Sequence, residues 1–362
     1  DEQAKNQLAK HAIHIHKFGG SSLATPECIA RVVDIIQQNC QLNDIVVVSA
    51  NGKTTDQLFA LYSLARDAQS DASEEREQSL SQALTELAAS QTALFTGLLK
   101  PSYAKQLATA LARDFKQLNT WLTGDLISHH NDILGFGEIW SARLLSALLN
   151  EKVCPSNSVD SRDFLVIDNE QNCNVDQPLS AAKLKQRRQF GKLAVITGYI
   201  CQNAQGGTCT LGRNGSDYSA TIMAALVGAL NVTLWTDVDG IYSADPRVVP
   251  SARKLHRLPN GVAKELGRLG NPVLHAKTLL PLINPLSEHH THLHVASSFD
   301  AQVIGTEIGK FGQIAKQELS VTYLNDLLLA QSVSFIGEAA ARAKTGFSPI
   351  CIDDQKGFMV IS

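Results

Sequence analysis

The stretch Ile45-Val46-Val47-Val48 is apolar at every position, between Asp44 and Ser49-Ala50. A strand with one wet face alternates. A strand that is apolar throughout is covered on both faces, which is the habit of a parallel sheet. Upstream, Ile13-His14-Ile15-His16-Lys17-Phe18 alternates and runs into Gly19-Gly20-Ser21-Ser22, a strand entering a tight turn. Thr25-Pro26-Glu27 then opens a helix, with Thr25 as N-cap and Pro26 at the first helical position. Strand, helix and strand within about 40 residues predict an α/β fold with right-handed crossovers.

From Thr55 to about Trp121 the pattern is helical, rich in Ala, Leu, Gln and Glu; the charged run 71–77 reads as a solvated helix start. A further helix is expected after Gly137, with Leu144, Leu145, Leu148 and Leu149 on one face. The α/β pattern returns with a strand at 192–198, a glycine-rich loop, a helix from Ser216 to Leu230 and a strand at 232–236. After Asp300 the pattern predicts a strand at 318–323, a helix at 331–343 and strands at 350–352 and 358–361.

At 362 residues the chain has room for two domains, or a large one and a small one. Thirty-two basic against 35 acidic residues, with no basic block, argue against nucleic-acid binding. The 44% hydrophobic content argues against disorder. No apolar run of about 18 residues is present, and the first ten residues lack a signal-peptide core. Seven cysteines without a C-x-x-C pair suit reduced thiols, hence a cytoplasmic setting.

Gly52-Lys53-Thr54 lacks the glycine a P-loop needs five residues before Gly52, where Val47 stands, and no dinucleotide or protein-kinase signature occurs. Two other loops suit anions. In Lys17-Phe18-Gly19-Gly20-Ser21-Ser22 the glycines let backbone N–H groups approach a phosphate, and Lys17 adds a point charge. In 210–218 a glycine-rich loop feeds a helix whose N-terminus favours anions, with Ser216 expected as N-cap. There Arg213 can fork onto a carboxylate or phosphate, and Asp217 can face an ammonium group or a metal. The segment 235–247 gathers carboxylates, an aromatic ring and a cation at the carboxyl end of a strand, where open α/β sheets bind ligands.

Together these motifs resemble the amino-acid kinase superfamily and, within it, the aspartate kinases. The matching segments are K-F-G-G-S-S at 17–22, V-V-V-S-A at 46–50, G-F-G-E at 135–138 and T-L-G-R-N-G-S-D-Y-S-A at 210–220. W-T-D-V-D-G-I-Y-S-A-D-P-R at 235–247 and V-L-H-A-K-T-L at 273–279 complete the set. The texture, including 141–150, looks most like the aspartokinase part of bacterial bifunctional aspartokinase/homoserine dehydrogenases.

The resemblance implies an α/β sandwich, a mainly parallel sheet between helices, over 12–310 (an N-lobe to about 190 and a nucleotide lobe at about 191–310), after a tail at 1–11. Residues 311–362 resemble the start of an ACT-type α+β regulatory domain, so the length reads as a fragment boundary. The implied activity is ATP-dependent phosphorylation of the L-aspartate side chain to 4-phospho-L-aspartate, the first step toward lysine, methionine and threonine. By analogy Lys17, Gly19, Gly20 and Ser21 hold the ATP phosphates. Thr236, Asp237, Tyr242 and Arg247 map onto the nucleotide site. Thr55, Glu138, Arg213 and Asp217 map onto the aspartate site. Lys17 and Asp217 carry catalysis, Mg²⁺ is held by ATP and water without a protein metal site, and the expected assembly is a homo-oligomer.

Two departures stand out. Pro272 occupies a place where many aspartokinases carry a nucleotide-reaching lysine, with Lys277 as a nearby substitute, and Phe136 replaces the histidine of H-G-E. The histidines at 289–294 invite a metal reading, but the resemblance puts an ordinary strand there. The rival functions are a kinase of glutamate or N-acetylglutamate and a catalytically silent amino-acid-sensing subunit.

Overall fold

The computed structural model describes residues 12–70, 73–169, 173–243, 245–247, 249–269, 271, 273–283 and 291–311. The tail 1–11, the strands and helix expected beyond 311, Pro272, His289 and His290 lie outside the described residues.

The expected strands at the start of the chain form as β1 (His14–Phe18) and β2 (Ile45–Val48), joined by helix α1 (Pro26–Asn39). The Thr25 hydroxyl accepts from the Cys28 N–H at 3.3 Å, and Pro26 stands at the first helical turn. Three helices follow: α2 (Thr54–Ser70), α3 (Glu74–Phe95) and α4 (Pro101–Thr123). The acidic start of α3 is exposed and capped by Ser73.

The next helix departs from expectation. Helix α5 runs from His130 to Lys152, so it begins before Gly137 and carries Gly135 and Gly137 inside it. Both glycines are there for close approach. A Cβ on Gly137 would lie 2.7 Å from the Ala50 Cβ, and one on Gly135 would lie 3.0 Å from Ile200. The helix is apolar almost all round and buried, and packing outweighs its glycines' weak helix propensity.

The remaining strands are β3 (Ser156–Val159), β4 (Val166–Asn169), β5 (Asn174–Val175), β6 (Leu193–Thr197), β7 (Ile200–Asn203), β8 (Thr208–Thr210), β9 (Asn231–Thr236), β10 (Arg257–Pro259), β11 (His292–Ser297) and β12 (Thr306–Gly309). The later helices are α6 (Gln177–Arg187), α7 (Gly215–Val227), α8 (Asn260–Arg268) and the single turn α9 (Ala276–Leu279). Eight strands form one sheet in the order β10-β12-β11-β9-β1-β2-β6-β3, parallel except where β11 meets β12. β6, from the second half of the chain, lies between β2 and β3. A second sheet, β5-β4-β7-β8, carries the loop into α7.

The uniformly apolar strands do what their composition requires. Val46 and Val48 face a core built with α1 and α5, while Ile45 and Val47 face a core built with α7. Burying such a side chain contributes about 1.5–3 kcal/mol, so both layers hold β2 in place. No described helix is long and apolar enough to cross a membrane.

Candidate active site

The carboxyl ends of β9, β1, β2 and β6 line up, and the chain leaves each of them in a turn. The ladder continues past the strands: Gly19 N–H donates to Trp235 O at 3.4 Å, Ser49 N–H to Phe18 O at 3.1 Å, and Gly198 N–H to Val48 O at 2.9 Å. Such a row of strand ends forms the crevice where α/β sheets take their ligands.

Lys17 and Asp217 meet at this edge. The Lys17 Nζ lies 2.6 Å from Asp217 Oδ1, with both side chains largely buried. Sequence reasoning gives these residues separate partners; the structure pairs them with each other. Asp217 sits in the first turn of α7, whose start also corrects an expectation. The helix begins at Gly215, with Asn214 in the left-handed region at its N-cap and no capping side chain. Ser216 is therefore not the cap. It lies buried in the first turn, so close to Gly198 that a Cβ there would come within 2.7 Å of the Ser216 Cβ and Oγ.

Gly20 is fixed by close approach: a Cβ on it would lie 2.9 Å from Gly52 O and 3.0 Å from Ala50 O. The Gly20 carbonyl accepts from Gly52 N–H at 2.9 Å, joining the first loop to the turn before α2. Ser21 is exposed, whereas Ser22, absent from the expected site, is buried and bonds Ser298 Oγ at 2.6 Å. Ser298 Oγ in turn donates to Thr236 O at 3.0 Å, which ties the ends of β1, β9 and β11. Thr55 stands half-buried in the first turn of α2; its neighbour Thr54 is committed to Asn51 O and Gln91.

Glu138 projects from the middle of α5 and is 3% exposed. Its Oε1 accepts from Ala50 N–H at 3.3 Å, and its Oε2 has no partner. Burial pushes its carboxyl up to about 8, outweighing that hydrogen bond. Phe136 stacks between Trp121 and Trp140 with centroids 5.6 and 5.4 Å away, so the missing histidine is replaced by core packing. Arg213 is exposed, and no ion pair holds it among the described residues.

On the far side, Thr236 and the exposed Asp237 hydrogen-bond each other at 3.1 Å. Tyr242 donates to the Asp239 carboxylate at 3.1 Å, and Lys254 lies 2.5 Å from that same group. Burial raises the Asp239 pKa, but the hydrogen bonds from Lys254 and Tyr242 prevail and hold it below its ordinary value. Arg247 forks onto Asp245 within its own loop and is otherwise exposed. Lys277 donates to Leu211 O at 3.2 Å and sits over the Tyr218 ring, so its ammonium supports the 210–217 loop. His292 pairs with Glu307 at 2.6 Å in an ordinary strand, β11.

Tyr199 is a neighbour that sequence reasoning misses. It follows the strand-ending Gly198, takes a left-handed backbone (φ 65°) and stands beside Gly215 at the start of α7. Its place after that glycine is the one cue the sequence holds.

The chain is similar in sequence and fold to known proteins. The model of the "Amino acid kinase family" matches residues 12–297. Bifunctional aspartokinase/homoserine dehydrogenase 2 of Escherichia coli K12 is 43% identical over 271 residues, which is 74% of this chain and 32% of that protein. Lysine-sensitive aspartokinase 3 of the same organism is 31% identical over 307 residues, covering 81% of this chain and 63% of the relative. The chain thus spans about a third of the length of the first bifunctional relatives it matches. Among solved structures, E. coli aspartokinase III in complex with aspartate and ADP superposes with a TM-score of 0.71 at 26% identity, over 83% of this chain and 65% of that one. With its motifs, its sandwich and its strand-end crevice all in place, the chain belongs to the amino acid kinase family.

Proposed function

We propose that this chain is the aspartokinase portion of a bifunctional aspartokinase/homoserine dehydrogenase, transferring the γ-phosphoryl group of ATP to the side-chain carboxylate of L-aspartate. The products are 4-phospho-L-aspartate and ADP. The observation that carries the reading is the Lys17–Asp217 pair at the head of the crevice, with Glu138 buried nearby on α5. The attacking group is a carboxylate, ionised at neutral pH, so the reaction needs no general base. Catalysis rests on positioning and on neutralising charge around the transferring phosphoryl group.

In this reading Asp217 orients Lys17 toward the β- and γ-phosphates, beside the backbone of Gly19, Gly20 and Ser21. Thr236, Asp237, Tyr242 and Arg247 border the nucleotide. Arg213, exposed and unpaired among the described residues, clamps the α-carboxylate. The unpartnered Glu138 Oε2 takes the α-ammonium, and Thr55 hydrogen-bonds the substrate. Mg²⁺ bound with the nucleotide would neutralise phosphate charge, and no side chain is assigned to hold it. Residues 12–310 form the kinase unit, whose copies associate in the cytoplasm; the regulatory segment expected beyond 311 lies outside the described residues. A coupled ADP-release assay with L-aspartate, L-glutamate or no acceptor tests the reading: aspartate-dependent release supports it, while release with glutamate alone or with no acceptor refutes it.

A further inference from the structure

We propose that Ser298 is a positioning residue of the nucleotide site, its hydroxyl linking Ser22 to Thr236 so that the phosphate loop keeps its place beside the nucleotide loop. This rests on the aspartokinase reading above, in which Gly19, Gly20 and Ser21 hold the phosphates and Thr236 and Asp237 border the nucleotide. The need for such a link is visible in the ladder. β1 and β9 pair as far as Phe18 and Trp235, and the next bond, Gly19 N–H to Trp235 O, is stretched to 3.4 Å. Past that point the two loops leave the sheet, and the serines fasten them.

Ser298 N–H and Ser298 Oγ both donate to Thr236 O, at 2.8 and 3.0 Å. That commits the one hydroxyl proton of Ser298, so across the 2.6 Å contact Ser22 is the donor and Ser298 Oγ the acceptor. The order is thus Ser22 O–H to Ser298 O–H to Thr236 C=O, and hydrogen bonds aligned head to tail strengthen one another. Both serines are buried, so water does not replace a missing hydroxyl. Each end is firmly held. Ser22 N–H donates to Gly19 O at 3.1 Å, so a shift of Ser22 carries the glycine turn with it. Ser297 Oγ accepts from Phe299 N–H at 3.1 Å and Asp300 N–H at 3.2 Å, closing the turn that presents Ser298. Transfer that depends on positioning is sensitive to such a tether.

The test measures KM for ATP and for L-aspartate in the wild type, Ser22→Ala, Ser298→Ala and the double variant, with thermal melts as a check on folding. Each single variant should raise the KM for ATP roughly two- to tenfold, the worth of one hydrogen bond, and leave the KM for aspartate unchanged. The double variant should be no worse than either single one, because the link fails as a unit. Ser298→Thr, which keeps the hydroxyl, should restore the KM for ATP. A merely structural role would lower the melting midpoint alone or raise both KM values in parallel. Either result, or single effects that multiply in the double variant, overturns the proposal. If the wild type phosphorylates neither aspartate nor glutamate, the aspartokinase reading falls. Calorimetric titration of ATP with Mg²⁺ into the same proteins then decides the link separately: weaker binding in the alanine variants supports it, and equal affinity overturns it.

Discussion

Lys17 Nζ and Asp217 Oδ1 lie 2.6 Å apart, joining the end of β1 to the first turn of α7 across the crevice. Breaking a largely buried pair leaves one charge without its partner, whereas replacing both by apolar groups is often near neutral. Asp217→Ala is therefore expected to lower stability by about 3 kcal/mol. The double variant Lys17→Met/Asp217→Leu should recover most of that loss and no turnover. Chemical denaturation alongside the kinase assay separates the two effects; a double variant as unstable as the single one would show that the pair is not the source.

Glu138 links stability to pH in the direction opposite to an ordinary carboxylate. Its proton is held to about 8 in the fold against a usual 4.5, so the folded state binds more protons than the unfolded chain between those values. Its contribution is full below pH 4.5 and is lost as pH rises through 8. Glu138→Gln should flatten that decline and stabilise the protein at pH 8, on the order of a few kcal/mol, while weakening aspartate binding. Denaturation midpoints at pH 5 and pH 8 check this; equal pH slopes in the two proteins would contradict it.

His16 acts on the acid side. It is buried, accepts from Trp235 Nε1–H at 3.2 Å, and burial, with His14 and His294 adding to it, lowers its pKa from 6.5 to about 4. The unfolded chain then binds more protons in that window, so stability falls as pH drops from 6.5 toward 4. His16→Phe should flatten this acid slope while stranding the Trp235 N–H, at about 1–3 kcal/mol across all pH. Melts from pH 4 to 7 would show an unchanged slope if the assignment were wrong.

Gly137→Ala should push α5 off the Ala50 turn, since the new Cβ would come within 2.7 Å of the Ala50 Cβ. A cost of about 1–3 kcal/mol and a raised KM for aspartate are expected. Gly261→Ala in α8 meets nothing within 4 Å and serves as the control, neutral or stabilised by up to about 1 kcal/mol. Comparable losses in both would dismiss the close-approach argument.

Arg213→Ala should raise the KM for aspartate far more than the KM for ATP, because the exposed guanidinium is assigned to the α-carboxylate alone. Steady-state titration of each substrate decides it; parallel increases would move Arg213 to another role.

Much of this was legible because the residues obey local rules. The apolar run at Ile45–Val48 needs two covered faces, and Thr25-Pro26 can hardly do other than start a helix. What was not legible depends on distant partners. Gly135 and Gly137 look like a turn, and only the nearness of Ile200 and Ala50 makes them helix interior. Asp217 looks free to meet a substrate ammonium until the sheet brings Lys17 beneath it. Short strands such as Thr208–Thr210 have too few residues to show a period, and no propensity marks Tyr199 for a left-handed backbone.

The central claim is chemical, and trapping the product tests it most directly. Incubating the protein with ATP, Mg²⁺, L-aspartate and hydroxylamine should yield aspartyl hydroxamate in step with ADP, and Lys17→Ala should yield neither. ADP released without hydroxamate, or hydroxamate formed equally well by Lys17→Ala, would contradict the account.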